Sequence, residues 1–178
     1  MSRIAPLRTA RLSMRPYRAD DLDALHALWT DADVRRWLWD DQVIDRATAA
    51  AAMQESIDCT AEHGFGHWAM SLAGDQQLIG FCGLRLMDGG PELELMYGML
   101  PQYWGRGLVT EGAAAWLTVG FDTLQRKHLW ALTDAPNQRS VAVMQRLGMR
   151  FSQRVQQDNG REAVRYVIAR EEWRHGQR

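Results

Sequence analysis

The spacing of apolar positions changes several times along the chain, and each change marks an element. In RLSMRPYR (11–18) Leu12 and Met14 alternate with polar neighbours, predicting a strand that ends near Pro16. Over 19–31, Leu22, Leu25, Leu28 and Trp29 recur at helical spacing, with Asp20 or Asp21 available as the cap. The alanine-rich stretch 43–64 predicts a second helix stopped by Gly64. Between them, VRRWLWDD (34–41) has no clear period and reads as a tryptophan-bearing loop. GHWAMSLA (66–73) and QLIGFCGLRLM (77–87) are strand-like runs joined by the turn residues GDQ, and ELELMYGML (92–100) follows a second turn, DGGP.

Residues 107–125, GLVTEGAAAWLTVGFDTLQ, predict one long helix with Leu108, Gly112, Ala115, Trp116 and Val119 along one side. HLWALTD (128–134) reads as a strand, NQRSVAVMQRLG (137–148) as a short helix stopped by Gly148, and 149–170 as a hairpin turning at DNG. With no linker, repeat or low-complexity segment, the pattern gives one domain over residues 1–178. Hairpins mixed with two helical crossovers exclude a purely parallel, doubly wound sheet and favour an α/β fold with a mixed sheet.

Charge narrows the function classes. Twenty-one Lys+Arg against 22 Asp+Glu leave a net charge of -1, which argues against a nucleic-acid binder relying on bulk electrostatics. No apolar run reaches membrane-spanning or signal-peptide length, so no membrane partner is expected and the cytoplasm is the expected compartment. Cys59 and Cys82 make no disulfide framework and neither has metal-ligand spacing, so no metal is expected. Oligomeric state is open between monomer and homodimer.

PQYWGRG (101–107) joins a strand to a helix. Gly105 and Gly107 permit positive φ or close approach of a ligand to the backbone, and the free N–H groups of the helix start point into the same space. With Arg106 this makes an anion cradle suited to phosphate or pyrophosphate; the alternative is a tight turn whose glycines serve packing. It is not a P-loop, since no Lys-Ser/Thr pair follows, and it lacks the third glycine of a dinucleotide fingerprint.

ELELMYGMLPQYWGRGLVTEG followed by NQRSVAVMQRLGMRF resembles the GCN5-related N-acetyltransferase (GNAT) family, and within it the branch of ribosomal-protein-alanine N-acetyltransferases; the likeness runs from TARLSMRPYRADDLDAL to YVIAREEW. The resemblance implies a GNAT fold, a mixed and mostly antiparallel central sheet with a splayed parallel strand pair, flanked by helices. It implies acetyl-CoA as cofactor, with CoA as product, and transfer to a primary amine, either a small molecule or a protein N-terminus, by direct attack on the thioester. The pyrophosphate falls to the backbone of Gln102, Tyr103, Trp104, Gly105, Arg106, Gly107 and Leu108. The pantetheine arm falls to the backbone of Met99 and Leu100, with contacts from Asn137 and Ser140. Glu94 takes the family's acidic position as general base, and Ser140 that of proton donor to the leaving sulfur; ion pairing of Glu94 with Arg85 is the plain structural alternative. Tyr97 and Tyr103 are further acid or positioning candidates. The acceptor pocket is placed at Trp37, Trp39, His67 and Trp68, where Asp40 and Asp41 could receive a cationic amine while Arg35 and Arg36 pull toward an acidic or carboxylate-bearing acceptor. Three departures stand out: Met96 for a glycine, Gly98 for an aromatic residue, and Gln156 for a glutamate. An acyltransferase using a longer acyl-CoA, or a non-catalytic acyl-CoA-binding domain, would keep the same loop; only an enzyme needs Glu94 and Ser140.

Overall fold

Among the described residues, eight strands form one sheet: β1 (Leu7–Arg8), β2 (Leu12–Pro16), β3 (His67–Leu72), β4 (Gly80–Leu86), β5 (Leu93–Met99), β6 (His128–Asp134), β7 (Arg150–Gln156) and β8 (Glu162–Ala169), in spatial order β1-β2-β3-β4-β5-β6-β8-β7. The computed structural model describes residues 4–87 and 90–176, so the predicted DGGP turn lies partly outside them, at 88–89. Neighbouring strands are antiparallel except β5 and β6, which run parallel. The sheet is therefore mixed and mostly antiparallel, as expected. Its helices are α1 (Leu22–Thr30), α2 (Ala32–Arg35), α3 (Arg46–His63), α4 (Leu108–Thr118), α5 (Gln138–Arg146) and α6 (Arg170–Gly176).

Local chemistry explains most boundaries. The Asp45 carboxylate accepts from the Thr48 N–H at 2.7 Å to start α3, and Gly64, at φ 82°, ends it in the left-handed region. The helix predicted over 107–125 is α-helical only to Thr118 and widens into a π-turn over Val119–Thr123, where the Leu124 N–H donates to the Val119 carbonyl. Gly120 lies in that turn, and a Cβ there would fall 2.5 Å from Leu129 Cδ1 on β6. The buried stripe of α4 holds Ala113 and Leu117 beside Leu108, Gly112 and Trp116, while Ala115 is half-buried.

Two apolar clusters form the core. One gathers α4, α5 and α6 with the sheet and includes Trp68 and Trp116, packed edge to face at 4.9 Å. The other joins α1, α2 and α3 to Ala69 and Phe81. The departures at Met96 and Gly98 acquire a reason here. Met96 stands opposite Gly83 and Gly98 opposite Phe81, and a Cβ on Gly98 would lie 2.4 Å from the Phe81 ring. Bulk missing from β5 is supplied by β4 in register, and the reverse.

The feature that positions the site is the gap between β5 and β6. Whereas β4–β5 and β6–β8 pair along their lengths, β5 and β6 meet only at Glu94 and Trp130. Beyond that bridge they diverge toward their carboxyl ends, where the connections to α4 and α5 begin. Among the described residues no helix is long and apolar enough to cross a membrane.

Candidate functional site

The gap opens into a cleft of about 1360 Å³, above the ~300–1,000 Å³ usual for small-ligand pockets. Its floor is Leu95–Met99 of β5 with Leu132 and Thr133 of β6; its walls are the glycine loop, the first turns of α4, one face of α5, and Asp33, Val34, Trp37 and Leu38 around α2. A separate hollow of about 440 Å³ lies beside the Arg15–Asp21 ion pair, and Leu100 lines that one.

Gly105 and Gly107 sit at φ 72° and 74°. A Cβ on Gly105 would meet nothing within 4 Å and one on Gly107 only Arg11 Nη2 at 3.6 Å, so backbone conformation, not space, calls for glycine. Gly107 is the N-cap of α4 and has no side chain to offer, whereas Asp45 caps α3 and Asn137 caps α5. The N–H groups of the first turn of α4 therefore face the cleft with the helix dipole behind them and no cap in front. The loop is fastened from behind. Glu111 accepts from the Thr9 hydroxyl (2.6 Å) and from the Arg11 N–H (2.9 Å) and Nε (2.6 Å), while Arg11 Nη1 donates to the Arg106 carbonyl at 2.9 Å. Burial works against ionisation of Glu111, but the bonds from Thr9 and Arg11 prevail and hold its carboxyl below the usual value.

Strand alternation decides which backbone groups the gap exposes. The Leu100 N–H donates to the Ile79 carbonyl, so even-numbered residues of β5 bond toward β4 and odd-numbered ones point toward β6. Past the bridge, Tyr97 and Met99 thus turn their backbone toward the cleft. Leu100 does not: its amide faces β4, correcting its place as a partner of the arm. The Met99 carbonyl is already taken by Trp104 Nε1 at 2.7 Å, which leaves its N–H.

Across the gap, Asn137 uses both ends of its amide. Its oxygen accepts from the Ser140 N–H (3.3 Å) and its nitrogen donates to the Thr133 hydroxyl (3.0 Å). Ser140 Oγ lies 2.9 Å from the Tyr97 hydroxyl. Burial pushes the Tyr97 phenol well above its usual pKa, with the bond to Ser140 pulling the other way, so it stays protonated. Arg139 stacks over Trp104 at 4.6 Å and Arg106 approaches the Tyr103 ring at 5.9 Å.

The structure gathers Met99, Tyr103, Trp104, Gly105, Arg106, Gly107, Leu108, Asn137, Ser140 and Trp37 at this cleft, while Gln102 is exposed and outside its lining. Several other expected residues lie elsewhere. Trp68 is fully buried against Trp116 and donates to Thr60 Oγ1, which makes it core. Trp39 packs on Trp29 at 5.7 Å. His67 packs on Phe81, its Nε2 buried without a partner. Glu94 is 4% exposed, and Arg85 Nε and Nη2 reach its Oε2 at 2.8 and 2.7 Å. Asp40 accepts from Asn159 and Asp41 pairs with Arg35, and neither lines the cleft.

Arg139, Ala142, Val143 and Arg146 also line the cleft and escape a motif-based reading. Their i, i+3, i+4, i+7 spacing shows one face of α5, but not what that face meets. With Arg106 they place three arginines in the lining, against Asp33 and a Glu111 already paired with Arg11. Among the described residues no cluster of His, Cys, Asp or Glu is placed to hold a metal ion.

Comparison with known proteins agrees with this geometry. The chain is 24% identical over 142 residues to Uncharacterized N-acetyltransferase p20 of Bacillus licheniformis, covering 79% of this chain and 80% of that protein. It superposes on a GNAT-family acetyltransferase from Bacillus anthracis with a TM-score of 0.81 at 22% identity, over 94% of this chain and 99% of the other. A ribosomal L7/L12 alpha-N-protein acetyltransferase, solved with coenzyme A, shares the fold at a TM-score of 0.77 and 16% identity, over 90% of this chain and 95% of the other. Residues 11–150 match the model of the acetyltransferase (GNAT) domain, and the chain belongs to that family.

Proposed function

We propose that the protein is an acetyl-CoA-dependent N-acetyltransferase acting on a primary amine. One observation carries the reading: an uncapped helix start, cradled by two left-handed glycines, opens onto a cleft that continues along unpaired β5 backbone. A pyrophosphate fits the first element and an amide-bearing arm the second. The residues present suit acetyl-CoA on charge as well, with Arg106, Arg139 and Arg146 at the cleft. The bound thioester supplies an activated acetyl group, and the chain supplies the rest.

The α4 N–H groups and Gly105–Gly107 hold the anionic end. The Tyr97 and Met99 backbone would hold the arm, and Asn137 fixes the start of α5 and so keeps Ser140 in the cleft lining, where its hydroxyl would serve the leaving sulfur. In the transfer an N–C bond forms as the C–S bond breaks, and the amine loses one proton while the sulfur gains one. Glu94, paired with Arg85 and outside the cleft lining, would serve deprotonation through water and not by direct contact with the amine. Trp37 and Asp33, where α2 meets the cleft, form the acceptor end. The ribosomal L7/L12 acetyltransferase makes a protein N-terminus one candidate acceptor and small-molecule amines the other.

The test is incubation with acetyl-CoA and a panel of peptides with free N-termini, polyamines, aminoglycosides and amino-acid derivatives, following CoA release and product mass. One acetylated product is expected. Glu94→Gln lowers its turnover by about 10²-fold, the usual worth of a positioned base. CoA binding without product from any amine would favour the non-catalytic binding domain, and transfer only from a longer acyl-CoA would move the donor class.

A further inference from the structure

Tyr97 belongs to β5 and Ser140 to α5, so their contact crosses the gap 43 residues apart in sequence. The phenol oxygen lies 2.9 Å from Ser140 Oγ and 3.2 Å from the Ser140 carbonyl. That carbonyl is positioned to accept from the N–H four residues on within α5 and gains little from a second donor. The shorter contact is the one that matters.

A hydroxyl has one proton and two lone pairs. If Ser140 donates to Tyr97, its proton is spent on the phenol and is not offered to a ligand. If Tyr97 donates to Ser140 Oγ, the serine proton is released toward the cleft and its O–H is polarised. Negative charge in the cleft selects the second arrangement, because only then does it face a donor.

Resting on the acetyltransferase reading above, we propose that Tyr97 is a positioning residue: its O–H donates to Ser140 Oγ and aims the serine proton at the cofactor sulfur, so the pair stabilises the thiolate as a two-link chain. Tyr97 itself keeps its proton throughout; burial, which opposes tyrosinate, suits it to that role. Its ring also lines the cleft, so the phenol is held by packing as well as by its bond.

Bound CoA reports this directly, with no acceptor needed. The thiol pKa of CoA in the complex is read from ultraviolet thiolate absorbance against pH, and CoA affinity by calorimetry. In the wild type the thiol pKa lies below that of free CoA. Tyr97→Phe raises it by about one unit, a tenfold loss of thiolate at fixed pH, and by linkage CoA affinity falls only at pH values where the thiolate is the bound form. Ser140→Ala raises it further, and Tyr97→Phe adds nothing to Ser140→Ala, because Tyr97 acts only through the serine. A packing role would produce neither that dependence nor the opposite shift expected on placing 3,5-difluorotyrosine, a stronger donor of the same shape, at position 97. A wild-type thiol pKa in Tyr97→Phe, or additive effects in the double variant, would overturn the inference while leaving the acetyltransferase reading intact. Failure of the wild type to bind CoA would overturn that reading itself.

Discussion

His67 shows how much one atom can carry. Burial, aided by the positive charge of Arg85, drives its pKa from 6.5 down to about 4, and Nε2 has no partner. The imidazole is therefore neutral at pH 7. Because the folded value lies below the unfolded one, the unfolded chain binds the extra proton first as pH falls. Stability is complete above about 6.5, declines between 6.5 and 4, and levels off below. The span corresponds to about 3 kcal/mol at most. Denaturant melts of wild type and His67→Phe from pH 7.5 to 4 should show a steeper decline in the wild type by that amount. Equal slopes would mean that water or a proton reaches the ring.

Among the elements, the start of α4 depends on a strand turn about a hundred residues earlier. Arg11 links Glu111 to the Arg106 carbonyl, and so ties the glycine loop to the β1–β2 turn. Exposed ion pairs of this kind contribute little to stability, about 1 kcal/mol or less. Arg11→Ala is therefore expected to leave the melting temperature nearly unchanged yet weaken CoA binding about five- to tenfold by freeing the loop. Calorimetric titration beside a thermal melt checks this, and Arg11→Lys should not rescue binding, since one ammonium cannot span both acceptors. The same contrast explains what the sequence discloses. Strand alternation, helix stops at Gly64 and Gly148, and the left-handed turn at Gly105–Gly107 are local, and all are legible in the residues. Which tryptophan faces the cleft is not. Asp31 caps a helix of four residues, and the chain leaving it directs Trp37 to the cleft and Trp39 onto Trp29. Asp40 is claimed by Asn159, 119 residues away, which no local pattern announces. Glu94 likewise reads as a carboxylate without a fixed partner until β4 brings Arg85 alongside.

At the scale of the whole molecule, the sheet is two antiparallel halves, β1–β5 and β6–β8, meeting at one bridge. Near that bridge they are held by Glu92, which accepts from Trp130 Nε1, and by Arg126, which donates to the Pro91 carbonyl. At the open end the links are side chains: Tyr97 with Ser140, Arg139 over Trp104, and the β7–β8 turn, where Asn159 and Arg161 bond Asp40 and the Arg36 carbonyl. A ligand lying along the gap touches both halves and adds its binding energy to their association. At a hundredfold excess over Kd, CoA should stabilise the protein by about 2.7 kcal/mol, raising Tm by about 5–11 °C for a chain of this size. Amide exchange should slow on both sides of the gap, at 101–111 and at 132–143. Adenosine 3′,5′-bisphosphate, which lacks the arm, is the control: it should protect the glycine loop without slowing exchange across β6 and α5 to the same degree. If CoA and the bisphosphate protect the same residues, the arm does not lie between the strands, and the divergence of β5 and β6 serves something other than the cofactor.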